Sequence, residues 1–375
     1  MAGLYIHTPF CVQKCSYCDF FSAPPSGNQL ETWHLLIQRN LELIAATQTD
    51  NIETIFFGGG TPSLLSPAQI RHILTCCRRL FSIDPHAEIS LEANPATLYP
   101  QKLDGFMAAG VNRLSIGIQS FDDQTLKVLG RRHDAQQARQ IFKQARAAGF
   151  NNISIDLIFA LPDHTTADLR QEISQLLALA PDHVGIYGLS IEDGTSLALK
   201  VEQGLITASD EETYAASYLL LNHELTTAGY EHYEISNYAL PGVRSRHNQA
   251  YWQRKTCLAA GAGAHGFDSK VFGMRTSITT DLDRYRQQLQ SDHNPTDLEE
   301  EFNQLQAMSE TLYLSLRTSD GINRNDFEQR FGISLEAAFP QALESLNSQL
   351  RLNDNRYSFT VEGWLLYDHL ISHFL

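Results

Sequence analysis

The strongest constraint on this chain is an alternation. From the start to about residue 190, short β-rich runs take turns with segments of helical period, the pattern of βα units around a parallel sheet. The predicted strands are Leu4–Ile6, Thr54–Phe57, Glu88–Leu91, Arg113–Ile118, Ser154–Leu157 and His183–Tyr187. Helical periodicity covers Glu31–Ala46, Pro67–Leu80, Ala135–Ala148 and Ala167–Ala180, several of them ending at Gly or Pro, where a helix stops. Six such units predict an α/β fold with a partial (β/α)6 barrel, short of the eight units of a closed one.

A helix near Asp210–Ala228 and a turn at Gly229 follow, then a polar, aromatic stretch to Asn248. Residues 1–235 are read as the barrel and 236–295 as a segment that completes or connects it. The polar run Asn294-Pro295-Thr296-Asp297 reads as a linker into a smaller, mostly helical domain over 296–375. There the order is helix (Glu300–Leu316), helix (Arg324–Phe331), helix (Leu335–Asn347), a two-stranded wing over Leu352–Phe359 turning at Asn353-Asp354-Asn355, and a closing helix. That order is winged-helix-like. Its closing elements carry few basic residues, which favours a structural or docking role over DNA binding.

At 375 residues the chain can build one large core plus a smaller domain. No stretch approaches the roughly 18 consecutive apolar residues that cross a bilayer. The opening Leu4-Tyr5-Ile6 leaves no basic n-region and apolar h-region, so a cytoplasmic location is expected. In a reducing compartment the six cysteines are thiols or metal ligands rather than disulfides. A net charge of −15 argues against a nucleic-acid footprint, which needs clustered Lys and Arg.

Cys11-x-x-x-Cys15-x-x-Cys18 packs three thiols into eight residues after the first strand. Thiolates suit iron–sulfur clusters, and three ligands to a four-iron cubane leave one iron open to a substrate or cofactor. A structural zinc site would want a second thiol pair, and only Cys76, Cys77 and Cys257 remain, the first two inside an apolar helical stretch. Gly58-Gly59-Gly60-Thr61-Pro62 follows the second strand, where glycine admits close backbone approach. Glu92, Gln119 and Asp156 lie at or just past the ends of successive strands, the rim where barrel enzymes build their sites. One acid at a strand end is ordinarily a cap or an ion-pair partner, but five consecutive strands delivering Cys, Gly or polar groups to one rim are not explained that way.

With these motifs the sequence resembles the radical SAM superfamily, and within it the branch of oxygen-independent coproporphyrinogen oxidases and HemW heme chaperones. The resemblance spans the chain, through Tyr5-Ile6-His7-Thr8-Pro9-Phe10-Cys11, the GGGTP run, Leu91-Glu92-Ala93-Asn94-Pro95, Arg113 to Phe121, and Asp156-Leu157-Ile158 with Leu161-Pro162. It implies a radical SAM barrel in which Cys11, Cys15 and Cys18 hold a 4Fe–4S cluster. It implies that Tyr5 contacts the cofactor and cluster, and that Gly59, Gly60 and Thr61 lie along the methionine end of S-adenosyl-L-methionine. Glu92, Gln119, Arg131 and Asp156 would hold that cofactor's polar groups, for which carboxylates, a cation and backbone amides are suitable partners. In the family the cofactor supplies the radical chemistry.

The oxidase branch carries a fourth cysteine two places after the third and a long segment before the first strand. Here that position is Phe20, and Cys11 stands ten residues from the start. The heme-chaperone branch also resembles this chain at His247-Asn248-Gln249-Ala250-Tyr251-Trp252, a motif linked there to heme. Imidazole is a common axial ligand to heme iron and aromatics can cover a porphyrin face; on its residues alone His247 reads first as a loop cap or a hydrogen-bonded core histidine, and the resemblance turns that reading to heme. The resemblance places Gly261–Gly266 beside the cofactor, with His265 as a weaker candidate. The expected function is a heme chaperone that passes heme to acceptor hemoproteins, membrane-bound respiratory proteins among them, with a homodimer and peripheral membrane association as further expectations. The alternative is an oxidase that decarboxylates coproporphyrinogen III.

Overall fold

A computed structural model describes residues 2–346 and 348–375. The first half runs β1 (Ala2–Thr8), α1 (Gln29–Ala45), β2 (Ile52–Gly59), α2 (Pro67–Leu80), β3 (Ile83–Ala93), α3 (Pro100–Ala109), β4 (Arg113–Gln119), α4 (Asp123–Val128), α5 (Ala135–Ala147), β5 (Ile153–Phe159), α6 (Thr166–Leu179) and β6 (His183–Gly188). β1 to β6 pair in sequence order, all parallel, with helices on the outer face, so the six expected strands form the expected partial barrel. Helix starts are set by side chains: Ser66 with Gln69, Asp134 with Gln137 and Thr165 with Asp168 form reciprocal capping boxes on α2, α5 and α6.

Strand parity sorts the residues. Leu4 and Ile6 of β1 and Ile55 and Phe57 of β2 point outward into a dry layer under the helices, each with no exposed surface. Their neighbours Gly3, Tyr5, His7, Thr54, Phe56 and Gly58 face the barrel interior, where a Cβ on Gly58 would stand 2.7 Å from the Tyr5 ring.

The second half adds α7 (Ser196–Glu202), α8 (Glu211–Thr227), β7 (Glu231–Glu234), β8 (Asn237–Ala239), α9 (Arg246–Trp252), β9 (Cys257–Ala260), β10 (His265–Asp268), β11 (Met274–Ile278), α10 (Leu282–Gln290) and β12 (Thr296–Glu301). These lengthen the sheet at both edges. β9 pairs parallel to β1 and carries the antiparallel β10–β11–β12, while β8 and β7 close the β6 edge, giving the order β12-β11-β10-β9-β1-β2-β3-β4-β5-β6-β8-β7. Residues 296–301 therefore form an edge strand, where a polar linker over 294–297 and the start of a helix at Glu300 were expected; that helix begins only at Gln304. Thr-Asp-Leu-Glu-Glu-Glu has no apolar alternation because neither face of β12 is buried.

The last part holds α11 (Gln304–Ser315), β13 (Ile322–Asn323), α12 (Arg324–Phe331), α13 (Leu335–Ala338), α14 (Pro340–Ser345), β14 (Leu350–Asn353), β15 (Arg356–Phe359), α15 (Val361–Leu365) and α16 (Tyr367–Ile371). The expected two-stranded wing is present and β13 makes it three-stranded. The helix expected over Leu335–Asn347 is two short pieces, because Pro340 restricts Phe339 and restarts the chain as a new first turn; Asn347 lies outside the described residues. Among the described residues no helix is long and apolar enough to cross a membrane.

Phe57 reports on the outer core layer. Phe57→Ala should cost about 3–5 kcal/mol, read as a lower urea midpoint; a midpoint within experimental scatter of the parent would contradict this packing.

Candidate functional site

The cysteine loop leaves the carboxyl end of β1 and is tied down at both ends. The Cys11 amide donates to the Ala23 carbonyl at 3.1 Å and the Ala23 amide to the Pro9 carbonyl at 3.0 Å, closing the loop's base. Its middle is held by Ser16, whose amide reaches the Leu129 carbonyl at 3.1 Å, while the Ser16 carbonyl accepts from the Leu197 amide of α7 at 2.8 Å. Cys11, Cys15 and Cys18 are half-buried free thiols, and all three line one cavity of about 500 Å³.

The same cavity is lined by Gly59, Gly60, Thr61, Glu92, Gln119, Arg131 and Asp156, delivered by the ends of β2 to β5 and the turn before α5. Gly59 has φ 103°, and a Cβ there would stand 2.6 Å from the His7 ring; one on Gly60 would stand 2.6 Å from the Phe10 carbonyl oxygen. Only glycine lets this strand end pass so close to the loop. The Gly59 amide donates to the Glu92 carboxylate at 3.2 Å, and Thr61 Oγ1 lies 3.0 Å from Cys11 Sγ.

Arg131 spans the cluster loop and the barrel rim. Its Nη1 donates to Cys15 Sγ at 3.3 Å and its Nη2 to the Gly117 carbonyl at 2.5 Å, while its Nε is buried without a partner. Asp156 accepts from both Ser115, at 2.9 and 3.0 Å, and Ser154, at 3.2 Å. Burial raises the Asp156 carboxyl, and those two hydroxyls oppose the shift. Glu92 is pushed up to about 8, first by burial and then by the Asp156 charge, with the Gly59 amide working against both.

Gln119 sits at φ 74° beside a register shift between β4 and β5, an uncommon conformation for a residue with a side chain. Glu172 of α6 holds the turn that follows. Its carboxylate accepts from Ser120 Oγ at 2.7 Å and from the Phe121 amide at 2.8 and 3.0 Å.

Three sequence candidates stand elsewhere. Tyr5 does not line the cavity; it lies below it in the barrel, its hydroxyl 3.1 Å from His7 Nδ1. His265 opens β10, exposed and 3.1 Å from Glu299, and does not line the cavity. His247 is 2% exposed at the opposite, amino-terminal end of the strands, beside Gly3 and Thr54. There α9 plugs the barrel floor. His247 Nδ1 lies 2.8 Å from Thr54 Oγ1, its ring stacks on Phe56 at 5.0 Å, and the helix amino terminus gives the Arg246 and His247 amides to Glu88 at 3.1 and 3.0 Å. As folded, His247 is the hydrogen-bonded core histidine of the plainer reading, closed off from a heme.

Ser115, Tyr17, Tyr187 and Glu192 also line the cavity and were not singled out from the sequence. Ser115 had a signal, since strand parity in Arg-Leu-Ser-Ile-Gly-Ile-Gln puts it on the face of Gly117; Tyr17 and Glu192 lie in loops, where parity says nothing. Phe20, 69% exposed, stands at the cavity's edge.

The residues present fit the groups the cysteines imply. Three thiols line one cavity, with the Arg131 guanidinium on Cys15 and the Thr61 hydroxyl beside Cys11, and thiolates are the ligands that iron–sulfur clusters take. Among the described residues no three His, Cys, Asp or Glu converge on a single metal ion, and a cubane does not ask for that, since each thiolate takes its own iron. The carboxylates and open glycine backbone suit an amino-acid cofactor with hydroxyl groups. For heme the donor chemistry fits and the access does not. His247 Nε2 is buried without a partner, and burial pushes the ring down to about 3, keeping it neutral.

The sequence model of the radical SAM superfamily matches residues 5–176, and that of the HemN C-terminal domain matches 302–366. A Bacillus subtilis protein named heme chaperone HemW is 32% identical over 379 aligned residues, spanning 100% of this chain and 99% of that protein. A Lactococcus lactis protein of the same name is 32% identical over 99% of this chain and 96% of its own. A zebrafish mitochondrial protein, radical S-adenosyl methionine domain-containing protein 1, is 33% identical over 99% of this chain and 86% of its own. Among solved structures, coproporphyrinogen III oxidase (HemN) from Escherichia coli superposes with TM-score 0.86 at 21% identity, covering 100% of this chain and 89% of that one, a likeness of fold.

The raised Glu92 gives a pH signature. The folded chain keeps this proton up to about 8 while the unfolded chain releases it near 4.5, so the folded state binds more protons between those values and stability falls as pH rises through that window. Glu92→Gln should flatten that part of a urea-midpoint profile; an identical slope in the variant would place the titration elsewhere.

Proposed function

Because the chain belongs to the radical SAM superfamily, in the family of the HemW proteins, we propose that it is a heme chaperone. On this reading it carries a 4Fe–4S cluster on Cys11, Cys15 and Cys18 and binds S-adenosyl-L-methionine in the rim cavity. The observation that carries the reading is end-to-end similarity to proteins named heme chaperone HemW, on a chain whose rim brings the three cysteines, the glycine turn and the two carboxylates to one cavity. Phe20, where the oxidase branch has a fourth cysteine, turns it from coproporphyrinogen oxidation.

Within this reading the residues divide the work. Cys11, Cys15 and Cys18 hold three irons and leave the fourth open, and Arg131 steadies the Cys15 ligand. Glu92, Gln119 and Asp156 receive the cofactor's ammonium and hydroxyl groups, while Gly59 and Gly60 let its methionine end lie against backbone. When bound, the cluster and cofactor together supply one-electron chemistry. Heme passes to acceptor hemoproteins, and His247 becomes available to its iron only when α9 leaves the barrel floor.

The deciding experiment is anaerobic reconstitution followed by heme titration and analysis for 5′-deoxyadenosine and protoporphyrinogen. Stoichiometric heme binding without porphyrinogen turnover is expected; catalytic formation of protoporphyrinogen would install the oxidase reading instead. Hydrogen exchange in the same samples should rise at Asn248 to Trp252 as heme binds, with the spectral change lost in His247→Ala. Heme bound while α9 stays protected would remove His247 from the ligand set. S-adenosyl-L-methionine should bind more tightly as pH rises toward about 8, because its cationic groups favour ionised Glu92. A pH-independent affinity would separate Glu92 from the cofactor.

A further inference from the structure

Asp156 is one end of a buried hydrogen-bonded chain that leaves the rim cavity and crosses the barrel. Ser154 Oγ lies 3.2 Å from Asp156 Oδ1 and 2.8 Å from His183 Nδ1. His183 Nε2 lies 2.7 Å from the Tyr233 hydroxyl, which also accepts from the Ser245 amide at 3.3 Å. Ser154, His183, Tyr233 and Ser245 each have at most 2% of their surface exposed. The far end opens on a second cavity of about 770 Å³, whose wall includes Tyr233, Gln249 and Trp252 on one side and Asp326, Phe331 and Arg356 of the C-terminal part on the other. Ser245 is also the cap of α9, its Oγ accepting from the Asn248 amide.

Donor and acceptor counting leaves this chain two arrangements. With Asp156 ionised, Ser154 gives its one hydrogen to the carboxylate and must accept from His183 Nδ1–H; His183 Nε2 then accepts from Tyr233. With Asp156 protonated and that hydrogen directed at Ser154 rather than at Ser115, each bond reverses. Asp156 donates to Ser154, Ser154 to Nδ1, and Nε2–H to the Tyr233 oxygen, whose own hydrogen turns outward. The two arrangements differ by one proton, taken up from solvent in the second cavity at Tyr233 and held at the end on Asp156. Around Asp156, burial opposes the ionised form, while the Ser115 and Ser154 hydroxyls, Arg113 and Arg131 favour it, and Glu92 and Tyr187 stand nearby. Around Tyr233 stand Arg113, Arg244, Glu88 and Glu234.

We propose that this chain couples the two cavities: the charge on Asp156 sets the direction of every hydrogen bond from Ser154 to Tyr233, and so what the second cavity and the cap of α9 meet at the Tyr233 hydroxyl. A ligand whose hydroxyls donate to Asp156 fixes the inward arrangement, and anything in the second cavity that accepts from Tyr233 fixes the outward one. The coupling is reciprocal by linkage.

Nitrogen-15 spectra of the ligand-free full chain, labelled at histidine, read the tautomer of His183 directly. The Nδ1–H form is expected in the parent and the Nε2–H form in Asp156→Asn, whose amide can donate to Ser154; the same tautomer in both would overturn the proposal. The binding arm rests on reading the rim cavity as the S-adenosyl-L-methionine site. There Tyr233→Phe in the reconstituted protein should weaken that cofactor several-fold. Tyr230→Phe, which loses only a bond to the Pro181 carbonyl, should leave it unchanged. Equal effects of the two variants would also overturn the coupling. If the parent binds no cofactor, the site reading fails, and the tautomer measurement still decides the chain, as it does if Tyr233→Phe does not fold.

Discussion

Two carboxylates enclosed in one mouth govern the local architecture. Glu92 and Asp156 both line the rim cavity, where the Asp156 charge raises the cost of ionising Glu92 and burial raises it for both. The neighbouring groups answer that cost. The Gly59 amide turns to Glu92, Ser115 and Ser154 turn to Asp156, and the Arg131 guanidinium lies between the pair and the cysteine loop. Because Gly59 can spend its amide this way only at a positive φ, the glycine turn and the acid pair are one device. A site poised between charged and neutral is suited to a cationic ligand, which makes ionisation of both acids favourable.

The barrel places Glu92, Ser115, Ser154 and Asp156 through strand parity, while Gly59 turns in at a positive φ and Arg131 comes from the turn before α5. Inward positions of β1 to β6 carry glycine, hydroxyl, acid and aromatic side chains, while outward ones carry Leu, Ile and Phe under the helices. The stable layer is thus a shell around a polar interior, and the polar interior is where ligand-type residues can be held without exposing them to bulk water.

How much of this could be read beforehand depended on whether a signal was local. The strand ends at Glu92, Gln119 and Asp156 were legible because rim position follows directly from where a strand stops. The edge strand Thr296–Glu301 was not, since a strand exposed on both faces has no pattern to show. The break at Pro340 was written in the sequence and outweighed by the apolar spacing around it. The burial of His247 was not legible for a different reason. Nothing in His-Asn-Gln-Ala-Tyr-Trp says that its helix folds back under β1 and β2, a tertiary fact fixed by Glu88 and Thr54 more than 150 residues earlier.

That helix also changes the topology of traffic. With α9 stoppering the floor, the barrel is a cup with one lip, and the lip is the cysteine loop with Phe20 on its edge. A cofactor held in the rim cavity would lie against that loop, so the segment that would carry the cluster is also part of the wall that the cofactor meets.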